Sequence, residues 1–165
     1  MEITFTKGKD HDTIRAIRDD GTFANITFPK KGWYPHDAVH VIVEKHFNLE
    51  KGFWGIVASG LSPEDVGLLA KQGGHASAKR ASIPSDDLKE LIFAERTVEC
   101  FEAELWSKPT EFNVFKSILK GACRASYIEM PEFAEDIILN IRSDLKKSGE
   151  QWRSLAIGDS ITMLW

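Results

Sequence analysis

The segment between Leu155 and Trp165 constrains the fold more than any other feature of this chain. Ile161, Met163 and Trp165 alternate there with Thr162 and Leu164, the period of two expected of a strand with one buried face. A strand needs a partner for its backbone N–H and C=O groups, and the other β-patterned segments all lie at the opposite end of the sequence. Ile3 and Phe5 alternate with Thr4 and Thr6, and Thr13 to Arg18 and Thr22 to Phe28 are rich in β-formers. Asp19-Asp20-Gly21 separates the last two, a turn in which glycine takes positive φ without a Cβ clash. The last strand is therefore expected to join the first ones. The predicted architecture is α+β, a small antiparallel sheet from the N-terminal strands plus the C-terminal strand, packed against a helical bundle, with residues 1–165 as a single domain.

The intervening sequence reads as helices. Tyr34-Pro35 opens a segment predicted to be helical from Pro35 to Phe47, because proline is favoured at a first helical position and the segment is long for a strand. Val39, Val41, Ile42 and Val43 are β-branched, so a buried strand is the alternative. Lys51 to Gly60 is apolar, with Gly52, Gly55, Ala58, Ser59 and Gly60 interspersed; small residues allow close backbone approach, and a structural role is the simplest. Ser62-Pro63-Glu64-Asp65 has the form of a helix start, with Ser62 as N-cap. Residues 73–84 lack large apolar groups and a clear period, and are expected to form a mobile loop. A long helix should follow, capped by Ser85-Asp86-Asp87 and running to about Trp106, with Leu91, Val98, Leu105 and Trp106 on its apolar face. Another should begin at Pro109-Thr110-Glu111, burying Phe112, Phe115, Ile118, Leu119 and Ala122. A third should begin at Pro131-Glu132, burying Phe133, Ile137, Ile138, Ile141 and Leu145.

Composition excludes several classes of function. The chain has 165 residues, enough for a core without disulfide or metal staples, and a net charge of -4. Its basic residues are scattered and form no stripe, so nucleic acid is not an expected partner. No apolar run approaches the roughly 18 residues of a membrane span, and the N-terminus lacks a basic start followed by an apolar run, so no membrane partner and a cytoplasmic location are expected. Cys100 and Cys123 lack C-x-x-C spacing and read as reduced core thiols. The five tryptophans are most simply core and edge packing.

What remains is the segment at Pro35. With His36 at zero on a helical wheel, His40 falls near about 40°, Glu44 near about 80° and Asp37 near about 100°. They make a narrow polar stripe on an otherwise apolar helix, and it carries the residue types of metal ligation and proton transfer. Residues four apart rise only about 6 Å, so His36 and His40 can grip one ion. Glu44 lies about 12 Å along the axis from His36 and is better cast as an outer partner of His40. In a strand the two histidines would be about 13 Å apart and could not chelate one ion.

A third ligand must come from elsewhere. Glu95, Glu99 and Glu102 fall inside or beside the apolar face of the long helix, where a carboxylate needs a cation or a metal, and Glu95 is the expected ligand. The site read from sequence is thus His36, His40 and Glu95 as metal ligands, Glu44 behind His40 and Asp37 as a catalytic base, with zinc as the cofactor. The alternative is a non-enzymatic interaction or structural module in which the motif is a buried polar network and Asp37 answers the helix dipole. His46 falls in the apolar arc and reads as a core histidine; His11 and His75 fall in expected turns or loops.

The pair in His36-Asp37-x-x-His40 resembles the H-E-x-x-H of zinc metalloproteases, in which two helical histidines bind zinc and the intervening Glu is the general base. Here the shorter Asp37 stands in the Glu position, and the H-x-x-G-x-x-H extension is missing. Pro35-His36-Asp37 with His40, Val43 and Glu44, then Gly52-Phe53-Trp54-Gly55 with Ala58 and Gly60, and finally Gly158, Ser160, Thr162 and Trp165, together resemble a group of small, mainly bacterial proteins of unassigned function. That resemblance implies one domain and a motif that is no accident, and supplies no substrate.

Overall fold

The computed structural model describes residues 1–30, 32–72 and 84–165. Among them four strands form one antiparallel sheet: β1 (Glu2–Thr6), β2 (His11–Ile17), β3 (Phe23–Pro29) and β4 (Ser160–Leu164) in the order β3-β2-β1-β4. The two ends of the chain meet at one side of it, where β4 is the edge strand beside β1, with Glu2 opposite Leu164 and Thr6 opposite Ser160. Alternation decides the faces. Ile3, Phe5, Ile14, Ala16 and Ile161 are buried toward the helices, while hydroxyls on the other face pair across the strands, as Thr4 does with Thr162 at 3.0 Å. The β2–β3 turn carries Gly21 at φ +84°, and Asp20 accepts the Thr22 N–H at 2.9 Å.

Among the described residues there are six α-helices: α1 (His36–Phe47), α2 (Phe53–Ala58), α3 (Pro63–Gln72), α4 (Lys89–Leu105), α5 (Phe112–Ala125) and α6 (Glu135–Ser154). The segment at Pro35 is a helix, not a strand. Every residue from Ala38 to Glu44 is buried, because α1 packs against α2, α4 and α6 together. Trp54 of α2 sets its ring edge-on to Phe5 of β1 at 6.4 Å, joining helices to sheet. Arg18, just past β2, donates to the Val57 carbonyl at 2.6 Å and the Leu61 carbonyl at 2.8 Å, closing the chain around α2. At the start of α3, Ser62 Oγ accepts the Asp65 N–H at 3.1 Å, as a cap should. The loop expected over residues 73–84, with His75, lies outside the described residues save for Pro84.

Several boundaries and faces differ from the sequence reading. A 3₁₀ turn, Asp86–Leu88, precedes α4, and α6 begins at Glu135 rather than Pro131. Phe133 is held in the extended lead-in, its ring edge-on to Phe47 at 5.2 Å, which keeps that stretch out of the helix. Trp106 caps α4 with its side chain 71% exposed, off the apolar face on which it was placed. Ile118 is 52% exposed. Helix α5 packs mainly on α4 and buries a stripe one residue wide, Phe115, Leu119 and Cys123, so its flanking apolar residues meet water. His11 opens β2 rather than a turn. His46 is half-buried at the surface, with Nε2 at 2.9 Å from Asp144.

The two faces of α5 give a direct test. Leu119→Ala should cost about 2–5 kcal/mol through lost burial and a residual cavity. Ile118→Ala should stay within about 0.5 kcal/mol, since its side chain already meets solvent. Urea denaturation of both variants checks the difference.

Candidate metal centre

Helix α1 presents His36 and His40 on one face, with ring centroids 4.8 Å apart. Opposite them α4 places Glu95, 4% exposed, inside the core. One ligand atom from each of the three lies within 4.8 Å of the others, so the group can hold a metal ion. Glu95 is therefore brought to the histidine pair from a segment more than fifty residues away in sequence, and its Oε2 lies 3.6 Å from His40 Nε2.

Each histidine has a carboxylate at its other ring nitrogen. His40 Nδ1 is hydrogen-bonded to Glu44 Oε1 at 2.9 Å, within α1. His36 Nδ1 is hydrogen-bonded to Glu102 Oε1 at 2.9 Å, from α4. A carboxylate on Nδ1 fixes ring orientation and leaves Nε2 as the nitrogen for an ion. The sequence reading marked Glu102 as a carboxylate in need of a partner but did not assign it one. Its position beside the apolar face of α4 was the available signal, since Glu95 and Glu102 are seven apart and share that face.

The Glu44 carboxylate is fully buried, and its second oxygen accepts the Trp54 backbone N–H at 2.9 Å. Burial pushes Glu44 above the ordinary carboxylate value, opposed by the bond to His40 and by backbone N–H groups of α2. For His40 burial acts in the opposite sense, toward the neutral ring. The Glu95 charge and the Glu44 hydrogen bond outweigh it, so His40 is held well above its ordinary value. Two carboxylates flanking one imidazole thus favour a positive charge at this point.

Gly52 makes room for this arrangement. A Cβ there would lie 2.6 Å from the Glu44 carboxyl carbon and 2.6 Å from Oε2. A Cβ at Gly55, in the first turn of α2, would collide with the Glu50 carbonyl, so neither position has room for a side chain. The indole N–H of Trp54 donates to the Asp37 carbonyl at 2.8 Å, tying α2 to the first turn of α1. Glycine and tryptophan in the 52–55 segment therefore serve the site directly.

Asp37 is half-buried and lies outside the compact three-residue group. Its side chain lines a cleft of about 420 Å³ that also takes in His36, Glu99 and Glu102, with Trp33 and Trp106 among its walls. His36 therefore links the buried group to an open cavity. The cysteines are elsewhere and hold their protons: burial pushes Cys100 up to about 11 and Cys123 to about 12. Among the described residues no helix is long and apolar enough to cross a membrane.

Gly52→Ala tests the packing of the buried carboxylate. The added methyl should displace Glu44 from His40 and Trp54 and destabilise the fold by about 1–3 kcal/mol, read by chemical denaturation. Comparison with protein-family models, curated proteins and solved structures gives no match to this chain, so the site is read from its own chemistry.

Proposed function

We propose that the protein binds a divalent metal ion, zinc, through His36, His40 and Glu95, and uses it for hydrolysis of a small substrate in the adjoining cleft. The observation that carries this reading is the convergence of three ligand atoms within 4.8 Å from two helices. Two imidazoles and one carboxylate, with a position left for water or substrate, are the donor set of hydrolytic zinc centres. Each histidine is oriented by a carboxylate, Glu44 or Glu102, as ligand histidines in metal sites usually are. His40 Nε2 is buried without a hydrogen-bond partner and lies beside Glu95, which an ion would remedy. With no segment suited to cross a membrane among the described residues, a cytoplasmic location accords with this role.

A second reading has its own support. His40, Glu44 and the Trp54 N–H already form a hydrogen-bonded chain in the core, and such a network can serve to fix one packing of α1 against α2 in a non-catalytic interaction module.

Metal analysis of protein purified without a histidine tag separates the two. The metal reading expects about one equivalent of zinc, lost in His36→Ala and in His40→Ala. Glu102→Gln should weaken zinc binding by about 10- to 100-fold while leaving the fold intact. Substoichiometric metal that neither histidine substitution changes, together with lowered stability, would establish the polar-network reading instead.

A further inference from the structure

The cleft beside His36 has a chemistry of its own. Its described lining includes the carboxylates of Asp12, Asp37, Glu99 and Glu102 and the single ammonium of Lys30. Three of these acids have visible partners. Asp12 accepts the Gly8 N–H at 2.9 Å and lies 3.6 Å from Lys30, Glu99 lies 3.0 Å from Arg96, and Glu102 holds His36. The Lys30 charge is thereby directed at Asp12. No hydrogen bond or ion pair among the described residues engages the carboxylate of Asp37.

Aromatic rings supply the rest of the wall. Trp106 lines the cleft with its side chain 71% exposed, beside Gly32, where a Cβ would lie 3.5 Å from the indole. A surface indole of that exposure, held over a cavity, is poorly explained by packing. Trp33 is a fixed wall: the Arg153 guanidinium covers its ring at 4.5 Å, and Gly149 of α6 leaves no space behind it. Phe28 of β3 closes the sheet side. His36 lines the cleft and also belongs to the buried group, in which His40 Nε2 faces Glu95 Oε2 at 3.6 Å. The cleft's volume of about 420 Å³ is that of a small-molecule site.

We propose that this cleft binds an organic ammonium, a small molecule carrying a protonated or quaternary amine on an apolar body, with Asp37 as the anionic anchor and Trp106 and Trp33 as its aromatic walls. A carboxylate together with indole faces is the chemistry that recognises such cations: the charge is balanced, and the ring quadrupoles attract the ammonium and its polarised methyl or methylene groups. Among the described residues an anionic ligand would meet the Asp37 carboxylate with the Lys30 charge already directed at Asp12. Asp37 is thereby given a binding role in place of the proton-transfer role its H-D-x-x-H position suggests. As a statement about the substrate of hydrolysis the inference rests on the metal reading above; as a statement about binding it does not.

Three probes of nearly equal size isolate the charge: phenethylammonium, 2-phenylethanol and phenylacetate, each titrated by calorimetry into the full chain, once with chelator and once with zinc. Phenethylammonium should bind at least about ten-fold more tightly than the alcohol, and phenylacetate should give no heat of binding. Asp37→Asn should remove most of the preference for the ammonium over the alcohol. Trp106→Ala, at an exposed position that leaves the fold undisturbed, should weaken the ammonium about five- to ten-fold. The proposal is overturned if the alcohol or phenylacetate matches the ammonium, if none of the three binds, or if both variants retain the wild-type preference. Zinc stoichiometry is measured on the same samples, so loss of ammonium binding with zinc intact refutes the ligand class alone, and absence of zinc with ammonium binding intact refutes the metal reading alone.

Discussion

The burial of one carboxylate organises this molecule. Glu44 sits at the centre of the helical layer with no exposure to solvent, where an unpaired charge would be strongly destabilising. Its two oxygens are satisfied from two directions, by His40 one turn back on α1 and by the Trp54 N–H at the start of α2. That requirement fixes the turn between the helices. It also makes glycine necessary at position 52, where a methyl group would occupy the carboxylate's space. Trp54, placed by this bond, reaches back to the Asp37 carbonyl with its indole N–H and down to Phe5 of the sheet with its ring. One buried acid thus sets the relation of α1, α2 and β1.

The same bond orients the candidate centre. A histidine held at Nδ1 by a buried carboxylate cannot rotate freely, so its Nε2 is presented to Glu95 in a fixed direction. His36 is held in parallel by Glu102, but beside the cleft, where solvent can reach it. The two histidines share a helix face and differ in burial, which gives the group a closed end and an open end. Sites of this kind place stability and function in the same side chains, and a change at Glu44 or Gly52 is expected to act on both.

The helical stripe at Pro35 was legible because α1 is buried on most of its circumference, so a few polar residues stand out against valine, isoleucine and alanine. Glu95 was legible for a related reason, as a carboxylate on an apolar face needs a partner. Glu102 carried the same signal, but which histidine atom each carboxylate would meet depends on how α1 and α4 cross, and local periodicity carries no information about that. Trp106 and Ile118 were misplaced by the same limit: both obey the apolar period of their helices, yet their side chains are 71% and 52% exposed, and periodicity does not tell which part of a face a neighbour covers. The start of α6 moved because Phe133 finds Phe47 and Phe112, contacts between segments far apart in the chain.

By itself the sequence determined the element types, the joining of the last strand to the first ones, and the i, i+4 histidine pair, because these follow from periodicity, turn chemistry and the need of a strand for a partner. Only the tertiary structure decided which carboxylates serve which histidine, and that the group opens onto a cleft with an acidic and aromatic lining. Those are properties of side chains drawn together from β3, the turn before α1, α1 itself and α4. Their proximity is set by how the helices cross above the sheet, and no stretch of the chain encodes that crossing alone.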